Sequence, residues 1–146
     1  MFFDDPQKQA KLRDELQSWM GTPFRHNAHV KGAGVDCVRL VGEVMVSCGV
    51  EPSYDFGYYS LDFSMHNERS ILVDYIEKTG KFVMVEPCKA QLGDIAVFKI
   101  GKCPHHAAIM LDDRMFVHAL MHNKVTHGDI TDSTWAKRLV AFYRAK

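Results

Sequence analysis

The chain has 146 residues, of which 47% are hydrophobic and 25% are charged, and its 18 basic and 18 acidic residues give a formal net charge of zero with neutral histidine. This profile is typical of one globular domain, which we expect to span residues 1–146. The balanced charge argues against a nucleic-acid binder, and no apolar run is long enough to span a membrane. Because the start of the chain lacks a basic and then apolar leader, we expect synthesis in the cytosol with reduced cysteines.

The first half of the chain predicts three helices. Asp4 or Asp5 can cap the first helix, which Gly21 ends, and its apolar positions recur at helical spacing. After a loop over residues 22–35, Asp36 is the expected N-cap of a buried helix that ends at Gly49. Residues 66–80 predict the third helix, and the aromatic stretch 51–63 before it is interpreted as a packed loop rather than a ligand platform.

In the second half the hydrophobic pattern changes to short runs rich in β-branched and aromatic residues, separated by turn residues. Helices followed by strands predict an α+β fold with an antiparallel sheet of about five to six strands. The predicted strands are 81–87, 94–100, 106–111, 114–120 and 139–145.

Two of these strands form a predicted hairpin that carries two histidines. A three-residue loop over 112–114 would pair Ala108 with His118, and His106 would then share a face with His118 on a diagonal. Diagonal neighbours have Cα atoms roughly 7–8 Å apart, close enough for two imidazoles to form a hydrogen bond. A two-residue loop would instead place the two rings on opposite faces of the sheet.

Cys37 lies where the loop turns into the second helix, and the helix dipole favours a thiolate there. We therefore predict Cys37 as nucleophile, His106 as the base that forms an ion pair with it, and His118 as the group that orients the base. Backbone N–H groups of the helix start would stabilise an oxyanion. The alternative for Cys37 is an inert buried thiol.

A zinc site made of Cys103, His105 and His106 is a weaker alternative, because the spacing lacks a second ligand pair. No metal and no cofactor are predicted. His26, His29, His122 and His127 are expected at the surface, with His26 bordering the cleft as the alternative.

Four blocks of the sequence resemble a known family in the same order. "GTPFRHNAHVKGAGVDCVRLV" resembles the nucleophile segment of the NlpC family of papain-like cysteine peptidases, usually Gly-x-Pro-Tyr, a Gly-rich loop and Asp-Cys-Ser-Gly-Leu-Val. "LGDIAVFK" resembles its Gly-Asp-Leu-x-x-Phe strand, and "HAAIMLDDRMFVHA" resembles its hairpin from His-Val-Gly-Ile-Tyr to Ile-His-Ala. "WAKRLVAFYRA" resembles its closing segment, so the resemblance extends from Gly21 to Arg144.

The resemblance implies a papain-like fold in which the helix of the nucleophile packs on the sheet. It also implies hydrolysis of peptide bonds in bacterial cell-wall stem peptides, typically the D-glutamyl–diaminopimelate bond. Asp36 would bind the free amine of the first alanine of the substrate, since a carboxylate can hold an ammonium group. "GTPFRHNAHVKG" is similar to the branch encoded among phage tail genes, which implies tail proteins as partners and a location in the virion tail or release by lysis.

Phe24 stands where the family usually has a tyrosine whose hydroxyl lies near the nucleophile, and Arg39 replaces a glycine, where it could lower the thiol pKa or crowd the cleft. We place Phe24, Asp36, Arg39 and His105 around the substrate. These departures keep two alternatives open. One is a tail-assembly subunit with weak or no activity, and the other is a Cys-His amidase or acyltransferase on another substrate.

Overall fold

The computed structural model of the protein describes residues 1–59, 70–101 and 103–146, and covers only the backbone of residues 103 and 104. Helices α1 (Pro6–Trp19), α2 (Cys37–Ser47) and α3 (Ile71–Thr79) precede a six-stranded antiparallel sheet. The predicted α+β class is therefore confirmed. None of the helices within these described ranges is long and apolar enough to cross a bilayer.

Side-chain caps set the starts of the helices. Asp5 Oδ1 accepts a hydrogen bond from the backbone N–H of Gln7 at 2.7 Å, and Pro6 occupies the first turn of α1. Asp36 caps α2, and Ser70 caps α3. The predicted start of the third helix at 66–69 lies outside the described residues, whereas its end at Gly80, with φ of 68°, agrees with the prediction.

The strands are β1 (His29–Val30), β2 (Gly34–Val35), β3 (Phe82–Val85), β4 (Ile95–Ile100), β5 (Cys103–Met110), β6 (Met115–Ala119), β7 (Val125–Asp129) and β8 (Leu139–Ala145). The six-stranded sheet has the spatial order β3-β8-β4-β5-β6-β7, and every neighbouring pair is antiparallel. Five of its strands correspond to the predicted runs, whereas β7 was not predicted. A separate two-stranded ribbon, β1 with β2, lies in the loop before α2.

The core has a cluster on each face of the sheet. Alternate residues such as Val97 and Ile109 pack with the apolar faces of α1, α2 and α3. The intervening residues, such as Phe98 and Phe116, form a smaller aromatic cluster on the opposite face. The short helix α4 (Ser133–Ala136) adds Trp135 to that second cluster.

The loop before α2 is tied to strand β7. The backbone N–H of Val125 donates to the carbonyl of Thr22 at 2.8 Å, and the N–H of Phe24 donates to the carbonyl of Asn123 at 2.9 Å. These bonds hold Phe24, and the loop that leads to Cys37, against the edge of the sheet at β7. The unpredicted strand therefore helps to build the site.

The "GD" pair of the "LGDIAVFK" block has a structural role. A Cβ on Gly93, whose φ is 92°, would lie 2.5 Å from the Phe3 ring, so only glycine fits there. Asp94 is fully buried and forms a two-pronged ion pair with Arg144, with Nε–Oδ1 and Nη2–Oδ2 distances of 2.8 Å. This pair joins the start of β4 to the end of β8.

Candidate active site

Cys37 is the first residue of α2, and only 7% of its surface is exposed. Its Sγ lies 3.8 Å from the carbonyl oxygen of His105 on strand β5. Cys37 and His106 both line one small cavity, of about 90 Å³. Aromatic, histidine and apolar side chains complete its wall: Phe24, His26, Tyr59, Ile100, His105 and Met121.

His106 and His118 form the predicted pair. Ile109 pairs with Val117, and the N–H of Leu111 donates to the carbonyl of Met115 at 2.8 Å, so the hairpin has the three-residue loop. His106 Nε2 lies 2.8 Å from His118 Nδ1. The predicted diagonal contact between the two imidazoles is confirmed.

The side chain of Asp112 stabilises the loop of this hairpin. Asp112 Oδ1 accepts hydrogen bonds from the N–H groups of Arg114 and Met115, at 2.8 and 2.7 Å. Asx turns of this kind need no residue with positive φ. The loop length that aligns the two histidines is therefore set by Asp112.

Three aromatic rings enclose the imidazole pair. The Trp135 ring stacks on His106 with centroids 5.1 Å apart and an interplanar angle of 22°, and it meets His118 edge-on at 5.0 Å. From the sheet, Phe98 contacts the His106 ring and Phe116 contacts the His118 ring. Trp135 lies in the closing block of the resemblance, but it was not predicted as part of the site. The enclosure removes water from around both rings.

Burial keeps the three groups neutral. It raises the pKa of the Cys37 thiol to about 12, and the negative charge of Asp36 raises this pKa further. Hydrogen bonds from the backbone N–H groups of Ala107, Val38 and Cys37 act in the opposite direction and lower it. Burial and the neighbouring imidazole hold the pKa of His106 well below its usual value. Burial lowers the pKa of His118 to about 4. These shifts favour a neutral thiol and a neutral imidazole at pH 7, whereas the sequence predicts an ion pair.

Asp36 and Arg39 bind each other rather than facing the cavity. Arg39 Nη1 lies 2.9 Å from Asp36 Oδ2, and Arg39 Nη2 donates to the carbonyl of Gly57. Neither side chain is among the described residues that line the cavity at Cys37. Arg39 therefore does not crowd the cleft, and its charge is directed to Asp36 rather than to the thiol.

The remaining predicted substrate residues, Phe24 and His105, both line the cavity, as does His26. Sequence reasoning missed Tyr59, whose ring lies edge-on to His105 at 4.9 Å and to His26 at 4.8 Å. Burial is the largest cause that raises the Tyr59 pKa, and the charge of Asp36 and a hydrogen bond to that carboxylate act in the same direction. Tyr59 comes from an irregular segment, so no periodic pattern indicated its position.

Among the described residues, no group of three histidine, cysteine, aspartate or glutamate side chains is arranged to hold a metal ion. The side chain of Cys103, a member of the zinc alternative, lies outside the described part of the chain. His106 already uses one ring nitrogen for His118. The site that the described residues build is suited to acid–base and nucleophilic chemistry.

The chain is similar in sequence to known proteins. The profile of the NlpC/P60 family matches residues 21–144. The chain is 24% identical over 139 residues to the probable endopeptidase NlpC of Escherichia coli (strain K12), covering 94% of this chain and 76% of that protein.

Solved structures share the fold. A Staphylococcus aureus subsp. aureus Mu50 protein, described as similar to a lipoprotein of the NLP/P60 family, superposes with a TM-score of 0.70 at 21% identity. That match covers 97% of this chain and 42% of the other, so this chain spans less than half of that protein. The NlpC/p60 domain of the peptidoglycan hydrolase SagA superposes with a TM-score of 0.63 at 19% identity. That match covers 94% of this chain and 98% of the other. The peptidoglycan hydrolase RipB of Mycobacterium tuberculosis superposes with a TM-score of 0.61 at 17% identity, and the match covers 94% of this chain and 64% of the other.

Proposed function

Because the chain belongs to the NlpC/P60 family of cysteine peptidases, we propose that it hydrolyses peptide bonds in the stem peptides of bacterial peptidoglycan. The bond between D-glutamate and diaminopimelate is the proposed site of cleavage. The solved structures named above include two peptidoglycan hydrolases, and the E. coli relative is a probable endopeptidase. The proposed catalytic residues are Cys37, His106 and His118.

One observation carries the proposal: Cys37 shares a cavity with His106, and His106 is hydrogen-bonded to His118. If the Nε2 of His106 donates to His118, its Nδ1 is unprotonated and can accept the proton of the thiol. His118 stays neutral at pH 7 because burial lowers its pKa to about 4, so it can act as the acceptor. In that tautomer, His106 can act as a general base while His118 holds its ring in place.

The reaction proceeds by general-base activation of a neutral thiol. His106 takes the proton as the sulfur attacks the carbonyl carbon, and the imidazolium then gives that proton to the leaving amine. Water hydrolyses the resulting thioester and restores the thiol. The N–H groups of Val38 and Cys37, at the start of α2, lie beside the sulfur and are the donors we assign to the oxyanion.

Mass spectrometry of products from purified peptidoglycan tests this function. Wild-type protein should release fragments that carry a new amine on diaminopimelate, and the Cys37→Ala variant should release none. A parallel digestion of the isolated stem tetrapeptide identifies the bond. Fragments that appear equally with both proteins, or with neither, would overturn the proposal.

One observation favours a second candidate, a tail-assembly subunit without activity. The cavity of about 90 Å³ is smaller than the roughly 300–1,000 Å³ typical of ligand pockets. An active enzyme must therefore open this cavity to admit a peptide. Absence of products, together with no increase in the iodoacetamide labelling of Cys37 when peptide is added, would favour this candidate. Association with phage tail proteins remains a prediction that rests on the resemblance of residues 21–32.

A further inference from the structure

The carboxylate next to the nucleophile is already saturated by donors of the protein itself. Asp36 Oδ1 accepts from the N–H of Arg39 at 2.8 Å, and Oδ2 accepts from the N–H of Asn27 at 2.8 Å and from Arg39 Nη1 at 2.9 Å. The Tyr59 hydroxyl adds a further hydrogen bond. With 1% of its surface exposed, Asp36 has no open face for an external ammonium group.

Arg39 is itself held in place, so it cannot easily move aside. Its second terminal nitrogen donates to the carbonyl of Gly57, and its guanidinium lies over the Tyr59 ring, 5.3 Å from the centroid. Arg39 is 8% exposed. An incoming cation would have to break this buried ion pair and leave the guanidinium uncompensated, which is strongly unfavourable.

The wall of the cavity at Cys37 offers no substitute for Asp36. Its described lining residues include no carboxylate. Glu43 and Asp55 line a separate cavity that shares none of those residues. Both carboxylates already have partners within the protein. Glu43 Oε1 lies 3.2 Å from His29 Nδ1, and Asp55 Oδ1 accepts a hydrogen bond from the N–H of Gly57. Among the described residues, an ammonium group placed beside the nucleophile would therefore be desolvated without a counter-charge.

We propose that Arg39 determines the specificity of this enzyme by neutralising Asp36 from within, so that the free amino terminus of a stem peptide is not recognised. The preferred substrate is a stem peptide whose first alanine is acylated, as it is when the peptide is still attached to the glycan. This inference rests on the proposed function and specifies its substrate class. It also replaces the expectation that Asp36 binds the amine.

A matched pair of peptides tests the inference. The stem tetrapeptide is offered with a free amino terminus and with an N-acetyl group, and kcat/KM is measured for both. Wild-type enzyme should cleave the acetylated peptide at least as well as the free one. A preference for the free peptide of about tenfold or more, the size expected for one charge-assisted hydrogen bond, would overturn the inference. Failure to cleave either peptide, or peptidoglycan, contradicts the proposed function instead.

Variants at Asp36 and Arg39 separate an effect on specificity from an effect on folding. Asp36→Asn keeps the helix cap and should lower kcat/KM for both peptides by the same factor, whereas a selective loss on the free peptide would overturn the inference. Arg39→Ala should shift the selectivity towards the free peptide, and Arg39→Lys should largely restore that of the wild type. Glu43→Gln, in the separate cavity, controls for a general loss of negative charge. If the Arg39 and Asp36 variants do not fold, the wild-type ratio alone decides.

Discussion

His106 Nε2 lies 2.8 Å from His118 Nδ1, so the group that orients the proposed base is a second imidazole rather than a carboxylate. A carboxylate would stabilise an imidazolium at His106 through its charge, whereas a neutral imidazole stabilises it by accepting one hydrogen bond. This difference agrees with a resting site that holds a neutral thiol. Catalysis then depends on the orientation of His106 more than on a preformed thiolate.

Replacement of His118 should therefore lower the catalytic rate with little effect on substrate binding. We expect His118→Ala to reduce kcat by about 10²–10⁴-fold with KM changed little, because His106 loses the partner that fixes its tautomer. His118→Gln, which can still accept a hydrogen bond, should lose less activity. Steady-state kinetics on the N-acetylated stem tetrapeptide measures both.

The exposed His127 on β7 provides the matched control, since His127→Ala removes an imidazole from the neighbouring strand without touching His106. Its kcat should equal that of the wild type. A His118→Ala enzyme with unchanged kcat, once it is shown to be folded by circular dichroism, would mean that His118 only packs.

The buried histidines also predict acid-sensitive stability. A histidine whose folded pKa lies below its unfolded value binds more protons when unfolded, so the free energy of unfolding falls as the pH drops from 6.5 to the folded pKa. For His118, with a folded pKa of about 4, the loss amounts to about 3 kcal/mol between pH 6.5 and 4. The lowered pKa of His106 also makes the free energy of unfolding decrease as the pH drops.

Urea denaturation at pH 4, 5, 6 and 7 measures this dependence, with His118→Gln as the variant that cannot titrate. The stability of the variant should vary less over this range than that of the wild type. Identical pH profiles for the two proteins would show that His118 does not titrate in this way.

The histidine pair could be predicted from sequence because it depends on two local rules. Strand periodicity and the length of the loop at 112–114 place His106 and His118 on one face, whatever the rest of the fold does. The position of Cys37 follows similarly from the Asp36 cap. These features are encoded by residues close together in the chain.

Other features depend on contacts that no local pattern contains. Strand β7 includes His127 and Gly128, which weaken its strand signal, and its partner strand decides its conformation. Arg39 is three residues after Asp36, but the direction of its guanidinium depends on Gly57 and Tyr59. The raised pKa of Cys37 follows from burial, which opposes the effect of the helix start.

The thiol of Cys37 should react slowly with alkylating agents in the absence of substrate. Its pKa of about 12 and its burial leave very little accessible thiolate at pH 7. Cys88 is exposed and provides an internal control. We expect iodoacetamide to label Cys88 first at pH 7, and the rate at Cys37 to keep rising up to pH 9, as measured by peptide mass spectrometry. Faster labelling of Cys37 than of Cys88, with a plateau below pH 7, would instead indicate the thiolate–imidazolium pair.

The buried ion pair between Asp94 and Arg144 should be important for stability but not for chemistry. Asp94→Asn removes the charge and sets an amide NH₂ against the guanidinium, so we expect the free energy of unfolding to fall by about 3–5 kcal/mol. The loss should appear as a lower urea midpoint with an unchanged slope. Asp113→Asn changes an exposed carboxylate in the hairpin loop and should alter the stability by less than about 0.5 kcal/mol. A decrease below about 1 kcal/mol for Asp94→Asn would mean that the solvent or a neighbouring group compensates Arg144, and that the link between β4 and β8 does not depend on this pair.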